Sequence, residues 1–279
     1  MDSSPEDLAV EGAALLADGR PREAAEVLRR AVAGGDPSAF DLLVRAYFDS
    51  GSWRAAVELL EPHVEQGDLR CAGRMGVALV QLGERERAEA VLRLAVGSGD
   101  VPAANDLAIL LRDERRLGEA VRVLVDAAAA GDQLAAANLV ALQLEAGDLP
   151  AAVEASERYA SERRPDTILA LADVRAQQGR YADADALYQR AARLRALRAH
   201  TSYGQFLHAR GDVAAAEREL WEAERVGEPG AAFAYGRFLL DEGRGEEARP
   251  HLQAAAAAEG DEAALAALAE LDGVDADEY

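Results

Sequence analysis

Glycine recurs in this chain at a spacing of 32 residues: Gly19, Gly51, Gly83, Gly147, Gly179, Gly211 and Gly243 share one register, and Arg115 fills the remaining position. A register that never slips over eight periods points to eight copies of one small unit stacked on each other, and away from a single non-repeating core. Five residues after each position stands alanine, in Ala24, Ala56, Ala88, Ala120, Ala152, Ala184, Ala216 and Ala248. Nine residues after it stands leucine in Leu28, Leu60, Leu92, Leu124, Leu220 and Leu252, with Ser156 and Tyr188 as the exceptions. Alanine returns three residues later in Ala31, Ala95, Ala127, Ala191, Ala223 and Ala255. Steps of four and three put these residues on one face of a helix, the second of each unit. Small residues on that face let a neighbouring axis approach to the short end of the roughly 8–10 Å packing range.

The segment before each turn position reads as a first helix. The eighth residue back is Leu43, Met75, Leu107, Leu139, Leu171, Tyr203 or Tyr235, and the next is often small, as in Gly76, Ala108, Ala172, Gly204 and Gly236. A glycine where that helix stops suits a left-handed C-terminal residue, a conformation that Arg115 should tolerate less well. Between units the chain writes Gly35-Asp36-Pro37, Gly67-Asp68, Gly99-Asp100, Gly131-Asp132, Gly227-Glu228-Pro229 and Gly260-Asp261, a stop glycine followed by an acidic residue able to cap the next helix. Pro5, Pro37, Pro165 and Pro229 each lie fourteen residues before a turn position, where a first helix starts and a missing N–H costs nothing. Pro62 falls inside a second helix, where it should bend it or cost about 3 kcal/mol. With only 5% aromatic residues and half the chain apolar, the composition favours helix formers over strand formers, so the expected class is all-α.

The sequence resembles the tetratricopeptide repeat, whose pattern has leucine then a small residue in the first helix, a turn glycine, an aromatic two residues on, and two alanines in the second helix. The aromatic position holds Trp53 and Tyr181, with Leu117, Leu149 and Val213 as aliphatic substitutes. The stretch from Gly131 through Ala135 to Asn138-Leu139 is similar to the Sel-like variant. The resemblance implies one right-handed α-solenoid over residues 1–271, with eight helix-turn-helix repeats turning at 19, 51, 83, 115, 147, 179, 211 and 243. A capping helix is expected over 261–271, and an acidic, disordered tail over 272–279. Two features depart from the family: the period is 32 instead of 34, and the proline that follows the second helix has moved to the start of the next first helix. Repeats five and six, with Arg163-Arg164-Pro165 and with Arg195 in place of the linking glycine, depart most.

Charge and residue usage narrow the function. The formal charge is −21, made up of −9 over residues 1–140 (24 acidic, 15 basic) and −12 over 141–279 (27 acidic, 15 basic), which disfavours a nucleic-acid partner and allows a basic protein partner. Every basic residue is arginine, so no phosphate-loop or Schiff-base lysine exists. This bias, with isoleucine only at 109 and 168, fits a GC-rich bacterial coding sequence. Cys71 is alone, which precludes an intrachain disulfide and suits a small buried hydrophobe in a reducing cytoplasm. The polar, acidic start lacks the features of a signal peptide, and no apolar run is long enough to span a membrane. His63, His200, His208 and His251 show no zinc-ligand spacing, and the many carboxylates read as solvated helix faces. No catalytic residue, metal or cofactor is expected.

The resemblance further implies that partners bind the concave wall formed by the first helices, at positions 10, 6, 3 and 2 before each turn. These positions hold Asp41, Arg45, Phe48 and Asp49; Asn105, Ile109, Arg112 and Asp113; Asp173 and Gln177; Thr201, Gln205 and His208; and Phe233, Arg237, Leu240 and Asp241. Asn105 and Gln205 suit hydrogen bonds to a peptide backbone, the arginines suit carboxylates, and the phenylalanines suit side-chain pockets. The competing view of the same residues is an ordinary solvated face, with Phe48 and Phe233 in the packing between helices. The expected function is a protein- or peptide-binding adaptor. The alternatives are a self-associating structural protein, separable by sedimentation at several concentrations, and, last, a small-ligand sensor around Gln205 and His208.

Overall fold

The computed structural model describes residues 4–259 and 262–272. Two compact units divide the chain, Met1–Ala135 and Ala136–Tyr279. The first holds α1 (Pro5–Ala17), α2 (Pro21–Ala33), α3 (Ala39–Asp49), α4 (Trp53–Glu65), a 3-10 turn (Leu69–Cys71), α5 (Ala72–Gln81), α6 (Arg85–Gly97), α7 (Val101–Asp113) and α8 (Leu117–Ala129). The division falls within α9 (Gln133–Glu145). The second unit continues with α10 (Leu149–Tyr159), α11 (Pro165–Gln177), α12 (Tyr181–Arg193), α13 (Ala199–Ala209), α14 (Val213–Val226), α15 (Ala231–Asp241), α16 (Gly245–Glu259) and α17 (Glu262–Asp272). Among the described residues the only β feature is an isolated bridge between Ser161 and Arg164. The protein is an all-α helical-repeat solenoid, with first helices at odd numbers and second helices at even ones.

Each hairpin closes on a left-handed residue. At Gly243 (φ 74°) the N–H donates to the Leu240 carbonyl at 2.9 Å and the Arg244 N–H to the Leu239 carbonyl at 2.8 Å, which satisfies two orphan carbonyls of α15. Arg115 adopts the same geometry at φ 63°, with bonds from Arg115 to Arg112 and from Arg116 to Leu111, both 2.8 Å, so the turn is kept in spite of its side chain.

The alanine and leucine positions of the second helices form the core. All eight alanines of the first row are fully buried, as are Leu28, Leu60, Leu92, Leu124, Leu220 and Leu252, each burial contributing about 1.5–3 kcal/mol. Glycines on the facing first helices make that packing fit. A β-carbon at Gly12, Gly76, Gly204 or Gly236 would stand 2.4, 2.5, 2.6 or 2.8 Å from the leucine sixteen residues on. Where the leucine row is interrupted, Tyr188 fills the place, stacks on Tyr203 at 5.6 Å between centroids and donates from its hydroxyl to Asp173 Oδ1 at 2.6 Å.

The links between repeats follow the expected chemistry with some changes. Asp100 and Asp132 cap their helices through the N–H groups of Ala103 and Ala135. Glu228 instead reaches back, accepting from the N–H groups of His200 (3.0 Å) and Thr201 (2.9 Å) and from the Thr201 hydroxyl (2.7 Å). Three periods earlier Asn105 meets Asp132 in the same way, its side-chain amide donating at 3.3 Å. Pro5 and Pro165 are first helical residues, whereas α3 and α15 start two residues beyond Pro37 and Pro229, within turns that Asp36 and Glu228 close onto Ala39 and Ala231. Helix α4 runs through Pro62 to Glu65 unbroken. Cys71 is buried at the end of its 3-10 turn, and burial raises its thiol pKa.

Helix α17 closes the last repeat through Leu268 and Leu271, which pack on its core. It extends to Asp272, one residue past the expected end, where the carboxylate pairs with Arg249 at 2.8 Å. Asp272 is therefore helical and not part of a tail; residues 273–279 and Asp261 lie outside the described residues.

Candidate partner-binding walls

Some first helices touch their successors: α1 meets α3 and α5 meets α7 in the first unit, and α11 meets α13 and α13 meets α15 in the second. Contacts of that extent are absent between successive second helices among the described residues. Closer spacing on one side of a stack marks the inner side of its curvature, so the first helices line the inner wall of each unit.

In the first unit, the wall carries Asp41, Arg45, Asp49, Arg112 and Asp113 as exposed side chains and Phe48 half-buried, edge-on to Trp53 at 5.2 Å. The charges are locally matched. Arg45 pairs with Asp49 at 3.3 Å, Arg112 with Asp113 at 3.3 Å, and Asp41 with Arg74 of the next repeat at 2.7 Å. Ile109 projects from this charged surface, 46% exposed. Asn105 is buried, and its side chain serves the link to Asp132 described above. Next to it, Asp106 is a half-buried carboxyl whose pKa burial pushes up to about 6, with Asp100 adding to the shift. Nothing in the repeat register singles out Asp106, because the equivalent positions in the neighbouring repeats hold Arg74 and Asn138.

In the second unit, Gln177 and Gln205 are exposed, while Phe233 and Leu240 are partly buried against the core. Arg237 bridges Asp241 at 2.9 Å and Glu270 on α17 at 2.8 Å, tying the wall to the closing helix. His208 meets Glu242 at 2.9 Å and lies edge-on to Phe238. Two expected wall residues turn inward. Thr201 is fully buried under Glu228, and Asp173 accepts the Tyr188 hydroxyl, its pKa raised to about 6 by burial. The remaining histidines meet other elements: His200 contacts Glu219, His251 contacts Glu224, and His63 packs on Phe40. Among the described residues, no three histidine, cysteine or acidic side chains gather as a metal site. No described helix is long and apolar enough to cross a membrane.

Comparison with known proteins agrees with this register. A family model described as Tetratricopeptide repeat matches residues 8–30, 197–220 and 229–254, each match spanning a turn glycine, Gly19, Gly211 or Gly243. The matched segments are tetratricopeptide repeats. A tetratricopeptide repeat protein from Parabacteroides merdae is similar in structure over 96% of this chain and 98% of its own, at 14% identity and a TM-score of 0.59. The crystal structure of the APC/C hetero-tetramer Cut9-Hcn1 contains a chain similar over 95% of this one, at 14% identity and a TM-score of 0.53; this chain spans about half (55%) of that one's length. At these identities the likeness is one of fold. No curated protein sequence matches the chain.

Proposed function

We propose that this tetratricopeptide repeat protein is a non-catalytic cytoplasmic scaffold that binds a protein or peptide partner along the inner walls of its units. The observation that carries the reading is Ile109. A large apolar side chain left 46% exposed beside Arg112 and Asp113 on α7 adds little to the unit's own core, and an apolar centre with a polar rim is the make-up of a protein interface. The fold neighbour in the Cut9-Hcn1 assembly uses the same architecture within a protein complex, in line with this reading. The net charge of −21 favours a partner of basic character.

Affinity purification from the native host, followed by calorimetry with the recovered partner, tests the proposal. Charged hydrogen bonds contribute about 1.5–3 kcal/mol each, so Arg45→Ala with Arg112→Ala should weaken binding by well over tenfold and leave helicity intact. Arg22→Ala with Arg87→Ala, on second helices, should not. Equal affinity of all three proteins would move the interaction off the first-unit wall. Arg237→Ala reads the second unit separately.

A further inference from the structure

The arginines on the walls are matched by carboxylates, but a different set is not. Residues 158–198 contain nine arginines against five acidic residues, a net charge of +4 in a chain of net −21. Three of these arginines, Arg193, Arg195 and Arg198, are exposed along one open pocket of about 550 Å³ between the link that follows α12 and the C-terminal end of α14.

Both carboxylates lining the pocket are already engaged. Glu228 is held by three hydrogen bonds at the start of α13, and Glu222 forms a bidentate pair with Arg225 at 2.5 and 2.7 Å. No carboxylate stands within the 4.0 Å ion-pair distance of Arg193, Arg195 or Arg198 among the described residues, although the charge of Arg198 is felt by Asp173. Two apolar side chains share the pocket and face solvent, Leu197 at 54% exposure and Val226 at 50%. At its margin Arg225 lies over the ring of the exposed Trp221, 5.9 Å from the centroid.

The backbone shows that these arginines are not there to make the turn. Arg195 (φ 59°) and Arg198 (φ 64°) both occupy the left-handed region, two of the three non-glycine residues that do so in the described chain. One period later the same two positions are Gly227 (φ 74°) and Gly230 (φ 73°), the same conformation without a β-carbon. The fold therefore makes this link with glycine at no strain, and it carries strained arginine here instead. Arg115 shows that a turn can keep a left-handed arginine, so the conformation alone marks no site; here it coincides with a pocket whose two carboxylates are already engaged elsewhere.

We propose that this pocket binds an acidic peptide segment of a partner protein, whose carboxylates meet Arg193, Arg195 and Arg198 while one of its apolar side chains rests on Leu197 and Val226. Charge complementarity selects the occupant: planar guanidiniums take carboxylates in bidentate pairs, and the two exposed aliphatic residues give an apolar side chain its seat. A nucleic-acid strand fits less well, since its phosphates would run on from this short basic stretch into the acidic remainder of the chain. The site is separate from the inner walls and does not depend on their role.

The test is fluorescence anisotropy with the full chain and a labelled dodecapeptide of aspartate and glutamate with leucine at every fourth position, at low and physiological salt. We expect saturable binding that weakens with salt, and weakens severalfold when the leucines are replaced by serine. Arg195→Gly with Arg198→Gly should lower affinity at least tenfold and raise the urea midpoint, because the left-handed strain is removed. Arg22→Ala with Arg87→Ala, on second helices outside the pocket and the walls, should bind the peptide as the wild type does. Any of four results would overturn the proposal: no binding by the wild type, unchanged affinity in the glycine variant, a fall in its urea midpoint, or tighter binding of a single-stranded oligonucleotide than of the peptide.

Discussion

Replacement of Gly204 by alanine tests the packing that sets this fold. Alanine normally gains up to about 1 kcal/mol over glycine inside a helix. Here the added β-carbon would stand 2.6 Å from Leu220 Cγ, 3.0 Å from its Cδ2 and 3.2 Å from the Ala216 carbonyl oxygen. Carbon atoms settle at about 3.5–4.0 Å, so α13 and α14 must separate by about 1 Å or Leu220 must leave its rotamer. Leu220 is 1% exposed and has no space to enter. Overpacking of this kind costs about 1–3 kcal/mol, which outweighs the propensity gain and leaves a net loss of about 1–2 kcal/mol. Gly118, near the start of α8, is the matched control: its β-carbon would meet only the tip of Arg122 at 3.9 Å, and Gly118→Ala should be neutral or stabilising. Urea unfolding followed by far-UV circular dichroism reads both, with hydrogen exchange in α13 and α14 to localise the loss, since repeat arrays need not unfold as one. In a Leu220→Ala background Gly204→Ala should cease to destabilise, a coupling of about 1–3 kcal/mol. A Gly204→Ala protein as stable as the wild type would refute the close approach.

Two further predictions follow from single side chains. Arg115→Gly should raise stability by about 1 kcal/mol in the same urea assay, because arginine at φ 63° bears a left-handed strain of about 1–2 kcal/mol that glycine escapes; a loss would mean that the side chain holds the turn. Asp173, with its pKa raised to about 6 in the fold from an ordinary 3.8, is best tolerated protonated, so its contribution to stability is full below about pH 4 and is lost as pH rises through about 6. Asp173→Asn, which still accepts the Tyr188 hydroxyl, should therefore be more stable than the wild type by about 1–3 kcal/mol above pH 6, a gain that disappears at pH 4. A gain independent of pH would exclude the carboxyl as its source.

The hairpins could be read in the sequence because the same physical demand repeats in each. Glycine at 19 or 243 ends a helix, alanine at 88 or 216 faces a neighbouring axis, and both demands act within a few residues of chain. Side-chain orientation on the walls was less legible. Asn105, Asp173 and Thr201 occupy the same register as solvent-facing wall residues, yet they turn inward because partners distant in sequence, Asp132, Tyr188 and Glu228, offer them hydrogen bonds. The basic pocket was hidden for a related reason. Its arginines lie at the end of α12 and in the link after it, within a chain whose overall charge is acidic; the register marks Arg195 as standing for a linking glycine, but only the backbone shows that Arg198 shares the left-handed conformation.

The claim that the inner walls bind a protein is tested most directly by photo-crosslinking in the native host, with a benzophenone amino acid placed at single positions. Ile109 and Gln205 report on the walls of the two units, and Leu94 and Val125, exposed on the second helices α6 and α8, serve as controls. Binding on the inner walls predicts a protein adduct at Ile109 or Gln205 that is absent at Leu94 and Val125. An adduct confined to the second-helix positions would contradict it.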